Sequence, residues 1–208
     1  MKPISEYNFR DIVGKFVMIS GVVINPDFTE YLAYCYIDEE KGLSFKILGM
    51  YSAEDSKVVV DEIIILRYNN DIQLELFSAT NETLLNEAKR VDDIYTSEDL
   101  KKIRNIERYD PYRDNVFPDD LLLLSFITQD DEIKSEPIWI HTNRILDDNV
   151  YGVTIEDGKY FSKDTEVAII NKELLFGNAQ VNIPDVIALD FSTVDKLHKE
   201  VTNDIQET

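Results

Sequence analysis

Glu30-Tyr31-Leu32-Ala33-Tyr34-Cys35-Tyr36-Ile37, followed by Asp38-Glu39-Glu40-Lys41-Gly42 and then by Leu43-Ser44-Phe45-Lys46-Ile47-Leu48, is the most telling stretch of the chain. Two short runs dense in Tyr, Ile and Phe flank a loop of acids, lysine and glycine. Aromatic and β-branched residues suit a pleated surface, and the polar loop reverses the chain, so the stretch predicts a β-hairpin. Upstream, Lys15 to Ile24 reads as another strand, ended by the turn Asn25-Pro26-Asp27. Ile4 to Val13 reads as a short helix with Ser5 as N-cap and Gly14 as its end. Downstream, Lys57 to Tyr68 and Ile72 to Phe77 read as a second hairpin around Asn69-Asn70-Asp71. Residues 15–80 therefore predict an antiparallel sheet or small barrel of about five strands.

The pattern changes after Thr80. Asn81 caps a helix predicted through Arg90, and Ser97 caps a second through about Arg108, broken by Tyr109-Asp110-Pro111-Tyr112. Beyond it the signal returns to β. Leu121 to Thr128 is apolar enough for a strand or a helix, and its periodicity does not separate the two. Pro137 to Thr142, Val150 to Ile155, Glu166 to Asn171, Leu174 to Phe176 and Val186 to Phe191 are short strand candidates. Asp147-Asp148-Asn149 and Glu156-Asp157-Gly158 are turns, and Ser192 caps a final helix through Val194, Leu197 and Val201. The fold class expected is α+β, mostly antiparallel β: two small β-rich units (sheet or barrel) joined by a helical connector, with a C-terminal helix. The boundaries read 1–80 for an N-terminal antiparallel β domain, 81–112 for the connector, and 113–208 for an acidic β-rich domain ending in the helix.

Composition restricts function. The 208 residues carry 41 acids and 21 bases, a net charge of −20. Aromatic content of 11% is too high for a disordered acidic tail, so the charge lies on the surface of a folded core. Residues 1–80 hold 13 acids and 7 bases, and residues 81–208 hold 28 and 14, which points to the second half if the charge serves function. Direct binding to nucleic acid or an anionic membrane is opposed by repulsion, whereas a basic protein is attracted. Cys35 stands alone and the N-terminus has no apolar leader-like run, so a reducing, cytoplasmic setting is expected. Twenty-four Ile and 14 Asn against 7 Ala suggest an AT-rich coding genome, as in many low-GC bacteria and their phages.

Chemistry-bearing motifs are sparse. His141 and His198 are the only imidazoles available to a triad, and no G-x-S-x-G elbow is present. The 7 glycines form neither G-x-G-x-x-G nor G-K-[ST]. One Cys and two distant His do not make a zinc site. An EF-hand-like start at Asp147 fails, because Tyr151 and Gly158 occupy ligand positions. Asp110, Asp114, Asp119 and Asp120 around Pro111 and Pro118 read as a solvated acidic loop. No enzyme, cofactor or metal is therefore expected.

The remaining signal is the set of acidic clusters, chiefly Asp119-Asp120, Asp130-Asp131-Glu132 and Asp147-Asp148. Each reads on its own as a solvated turn. Together they can offer carboxylates to a basic groove in place of phosphates, as a DNA mimic does. Duplex DNA carries about one charge per 1.7 Å, so the net charge matches roughly one turn of duplex. Tyr109, Tyr112 and Tyr151 near these clusters are candidate anchors, because aromatics rather than rim charges supply affinity. The function expected is a non-enzymatic acidic protein that blocks a basic, nucleic-acid-handling site on a partner protein. A phage anti-defence inhibitor and a toxin-immunity protein are the two settings. The alternative is a carboxylate-dependent enzyme, with or without a divalent metal.

Overall fold

The hairpin read from residues 30–48 is the centre of a sheet in the computed structural model, which describes residues 1–52, 57–173 and 183–194. Strand β3 (Glu30–Asp38) pairs antiparallel with β4 (Gly42–Tyr51), with Asp38 opposite Gly42. Asp38 holds the loop. One carboxylate oxygen accepts the N–H groups of Glu40 and Lys41, each at 3.1 Å, and the other accepts from the Arg67 guanidinium at 3.1 Å. Gly42 has φ of +69°, and a Cβ there would lie 2.3 Å from the Val116 carbonyl, so only glycine fits.

Around this hairpin lie β1 (Lys2–Pro3), β2 (Phe16–Ser20), β5 (Lys57–Arg67) and β6 (Gln73–Phe77), in the order β1-β6-β2-β3-β4-β5. Tyr31, Ala33, Cys35, Ile37, Phe45 and Ile47 face one core together with Ile4, Ile12, Ile72 and Leu74. Leu32, Tyr34 and Tyr36 face the other side, covered by Ala88 and Val91 of helix α2 (Glu82–Tyr95). Because both faces of β3 are buried, its sequence is an unbroken apolar run instead of an alternating one. Each such buried side chain contributes roughly 1.5–3 kcal/mol against chain entropy.

Three local expectations for this region are corrected. Residues 57–77 are not a hairpin: β5 pairs with β4 at one edge, while β6 pairs with β2 and β1 near the other. Asn69 accepts the Asp71 N–H at 2.9 Å in a turn that sends the chain across the sheet, and the ladder with β2 buries Ile72 and Leu74. Core burial overrides the preference for pairing with a sequence neighbour. The N-terminal helix is replaced by a 3-10 turn at Ile4–Glu6 and a short helix α1 (Phe9–Ile12). Its cap is Asn8, not Ser5, with Asp11 returning the bond to the Asn8 N–H, a capping box hidden behind the earlier serine. Strand β2 stops at Ser20, because residues beyond it wrap the Tyr31 hydroxyl, which accepts the Ile24 N–H at 3.1 Å and donates to the Phe28 carbonyl at 2.9 Å.

The chain divides into two compact units, Met1–Ser97 with Asn115–Pro118, and Glu98–Asp114 with Asp119–Thr208. Residues 81–112 are shared between them. Helix α2, capped by Asn81 through the Thr83 N–H at 2.8 Å, belongs to the first. Helix α3 (Glu98–Arg104) and a 3-10 helix at Glu107–Tyr112 belong to the second. The predicted single helix through Arg108 ends early, where Asn105 and Ile106 tighten onto carbonyls three residues back. Tyr109 and Pro111 continue a helical turn instead of breaking one.

The second unit is a closed five-stranded barrel of β7 (Asp120–Gln129), β8 (Glu132–Leu146), β9 (Asn149–Thr154), β10 (Glu166–Asn171) and β11 (Val186–Asp190). Residues 121–128 are thus strand. All neighbours are antiparallel except β11 and β7, which close the barrel in parallel with Leu189 opposite Phe126. Leu121, Leu123, Ile138, Ile140, Val167 and Ile169 fill the interior. Glu156-Asp157-Gly158 is not a tight hairpin turn but part of a longer connection from β9 to β10. A helical segment begins at residues 191–194, and its cap is Asp190, which accepts the N–H groups of Ser192 and Thr193, each at 3.1 Å. Ser192 instead bonds to Asp190 through its hydroxyl. Leu174 to Phe176, the rest of the predicted C-terminal helix and His198 lie outside the described residues. Among the described residues no helix is long and apolar enough to cross a membrane.

One buried charge pair ties α3 to the barrel. Arg104 donates from Nε to Asp119 Oδ1 at 2.9 Å and from a terminal nitrogen to Oδ2 at 2.7 Å, with both side chains buried. Removing one partner strands the other charge. Arg104→Met is therefore expected to cost about 3–5 kcal/mol, and adding Asp119→Leu should recover most of that loss. Urea unfolding of both variants checks this, and an equal cost for single and double variants would show that the ion pair is not the source.

Candidate functional site

The second unit holds 24 acids and 12 bases, a net of −12, against 17 and 9 in the first. Its acidic clusters separate into carboxylates that build the fold and carboxylates that face water. Asp119, read as solvated loop, is only 3% exposed. Its side chain is held by Arg104, and its carbonyl accepts the Thr142 N–H at 2.9 Å and the Thr142 hydroxyl at 2.8 Å. Asp120 lies opposite His141 on the adjacent strand and meets its Nδ1 at 2.7 Å. His141 is therefore an interior position of a long strand. Asp110 meets Arg113 at 3.1 Å. Asp110, Asp119 and Asp120 are therefore each held by an internal partner. Among the described residues no three His, Cys, Asp or Glu side chains gather so as to hold a metal ion.

Asp130-Asp131 and Asp147-Asp148 are different. Gln129 pairs with Glu132 and Leu146 with Asn149, so each doublet is the whole of a two-residue hairpin turn. The φ angles are 51° and 60° in the first and 48° and 63° in the second. Both central residues are left-handed, the type I′ geometry that matches strand twist and favours Gly, Asn or Asp. All four residues are exposed, as is Glu132, which meets Lys134. Strand β8 connects the two turns, and at about 3.3 Å per residue it sets them at most about 45 Å apart. The acids form two groups at opposite ends of the barrel strands, not one patch.

Each end has further fixed groups. At the Asp130 end, Glu136 reaches into the β9–β10 connection and accepts N–H bonds from Lys159 at 2.8 Å, Tyr160 at 2.7 Å and Phe161 at 3.0 Å. Gly158 makes this possible, because a Cβ there would sit 2.4 Å from a Glu136 oxygen. Gln129 donates to the Tyr160 carbonyl at 2.8 Å, and Glu156 and Asp157 of the same connection are exposed. At the Asp147 end, Asp99 of α3 accepts the Ile145 N–H at 3.0 Å. Tyr151 lies under the Arg144 guanidinium at 5.4 Å and stacks on Phe191 at 5.8 Å.

Of the three predicted tyrosine anchors, Tyr109 is packed inward. Tyr109 is 2% exposed and sits between the Arg108 and Arg113 guanidiniums, at 5.7 and 6.0 Å. Burial raises its phenol above the ordinary 10.0, against the pull of the two arginines. Tyr112 and Tyr151 are both half-buried, Tyr112 packed against the barrel core and Tyr151 between Arg144 and Phe191. Sequence reading missed Glu136 and the Asp120–His141 pair, because each depends on a strand register that no local pattern specifies. Comparison of the chain with protein families, with curated proteins and with solved structures finds no match.

Glu136 yields a pH test. Burial opposes its charged form, but the three N–H donors and Lys159 outweigh this and hold its carboxyl below the ordinary 4.5. A depressed acid contributes stability above its unfolded value that is lost as pH falls through the folded one. Between about pH 5 and pH 3, the urea midpoint should fall more steeply for the native protein than for Glu136→Gln. Parallel curves would show that the nest adds nothing.

Proposed function

We propose that this protein is a non-enzymatic acidic binding protein that occupies a basic, nucleic-acid-binding site on a partner protein, in a reducing cytoplasmic setting. The observation that supports this most is the display of Asp130-Asp131-Glu132 and Asp147-Asp148 on two-residue turns at both ends of a closed barrel. Turn carboxylates on a rigid scaffold lose little entropy on binding, and their field steers a basic partner. The separation of the two groups corresponds to at most about 13 base-pair steps of duplex at 3.4 Å each, a span that a DNA-binding groove accommodates. Phage anti-defence inhibition and toxin immunity both call for a partner of this kind.

A second reading, carboxylate-dependent acid–base chemistry, rests on the Asp120–His141 pair, in which a carboxylate orients an imidazole as in general-base catalysis. The turns separate the two. Asparagine tolerates the left-handed conformation as aspartate does, so Asp130→Asn, Asp131→Asn, Asp147→Asn and Asp148→Asn together remove four charges while keeping both hairpins. The tagged protein is expected to retain one basic nucleic-acid-handling protein from host lysate at low and moderate salt. The fourfold variant should associate with it about tenfold more slowly at low salt, with an unchanged unfolding midpoint. Equal capture by both proteins would mean that the aspartates serve turn geometry alone.

A further inference from the structure

The outer surface of the barrel carries an apolar row that its interior does not need. On β7, Leu121 and Leu123 point inward, which turns Leu122 out at 41% exposure. Leu122 lies directly opposite Trp139 of β8. The Ile155 N–H bonds to the Trp139 carbonyl at 3.1 Å, extending the ladder, and Ile155 is 37% exposed. The single tryptophan of the chain thus sits half-buried in the middle of a cross-strand row, with an exposed aliphatic side chain on either side. Outward positions of a barrel in water are ordinarily polar, and clustered exposed apolar side chains mark contact surfaces. Tryptophan is the residue most enriched among interface hot spots.

We infer that Leu122, Trp139 and Ile155 form the docking surface for a basic protein segment that presents aliphatic or aromatic side chains between its lysines and arginines. This rests on the acidic-binding reading above and names where affinity, as distinct from attraction, arises. The occupant is set by charge. Glu156 and Asp157 follow the row directly and are exposed, and the exposed Asp130-Asp131-Glu132 turn stands at the far end of the same two strands. The unit that carries the row has a net charge of −12. A second copy of this chain would bring like charge to like, and a nucleic acid would bring phosphates, so both are disfavoured. A cationic segment gains attraction from the rim and burial from the row, the usual division between polar rim and apolar centre.

Because Trp139 is the only tryptophan, its emission reports the row in the full chain. The probes are a short peptide alternating lysine and leucine and an oligolysine of equal charge. The expected result is a blue shift of Trp139 emission with the lysine–leucine peptide, absent with oligolysine. In Leu122→Ser/Ile155→Ser the lysine–leucine peptide should bind at least about tenfold more weakly, a 1.4 kcal/mol loss, while oligolysine binding is unchanged. Both substitutions are at exposed positions, and an unchanged unfolding midpoint confirms that the fold persists. If both peptides bind native protein and variant equally without an emission shift, the row is not a docking surface and the acidic reading stands alone. If neither peptide binds, both readings fail together. Sedimentation that shows a dimer of the native chain, lost in the variant, would assign the row to self-association and overturn the choice of occupant.

Discussion

A carboxylate taken out of water, that of Asp119, organises the second unit. Burying an ion costs several kcal/mol unless every oxygen is satisfied. Here the Arg104 fork meets both oxygens, which fixes α3 against the start of β7. The carbonyl of the same residue takes two bonds from Thr142, next to the irregularity in the β8–β9 register. One residue therefore joins a helix, the first barrel strand and the bend of the longest strand. Arginine suits this position, because its planar fork matches a carboxylate in two parallel bonds.

Placing a net charge of −20 on a chain of this size requires that acids be sorted. Those near the cores are spent on internal contacts: Asp38 on its loop and Arg67, Glu136 on three backbone N–H groups, Asp92 on the Tyr34 hydroxyl at 2.8 Å. Others are placed where the backbone must be left-handed, and aspartate tolerates that conformation. The same substitution pattern thus answers a conformational need and leaves carboxylates in water at the barrel ends. Neither role alone accounts for choosing Asp over Gly or Asn at all four positions.

The proposed activity assigns different tasks to different parts of the barrel. Charges at its ends act at long range, raising encounter rates and excluding anionic competitors. The Leu122–Trp139–Ile155 row acts only in contact, by removing apolar surface from water. Long range without contact area gives weak, salt-sensitive adhesion, and contact area without charge gives little discrimination. Carrying both on one barrel joins attraction to retention.

Much of the fold was legible from residues alone. The aromatic runs around Asp38 to Gly42, the cap at Asn81 and the doublets at 130–131 and 147–148 carry local signals, because hairpins and caps are set by nearby dihedral preferences and hydrogen bonds. Pairing between distant strands carries no such signal, which is why β6 was misassigned to β5 and why the parallel closure of β11 on β7 was not foreseen. The capping box at Asn8 lay behind a competing serine, and in the run at 121–128 strand and helix shared one pattern. For the candidate site, the sequence by itself determined the excess of acid, its concentration in turns and the poverty of nucleophiles and glycine loops. Only the tertiary structure decided which acids are buried and which displayed, that Tyr109 packs inward, and that Leu122, Trp139 and Ile155 share one outer row. The physical reason is that charge and turn propensity belong to residues, whereas burial and cross-strand neighbours belong to the register of strands far apart in the chain.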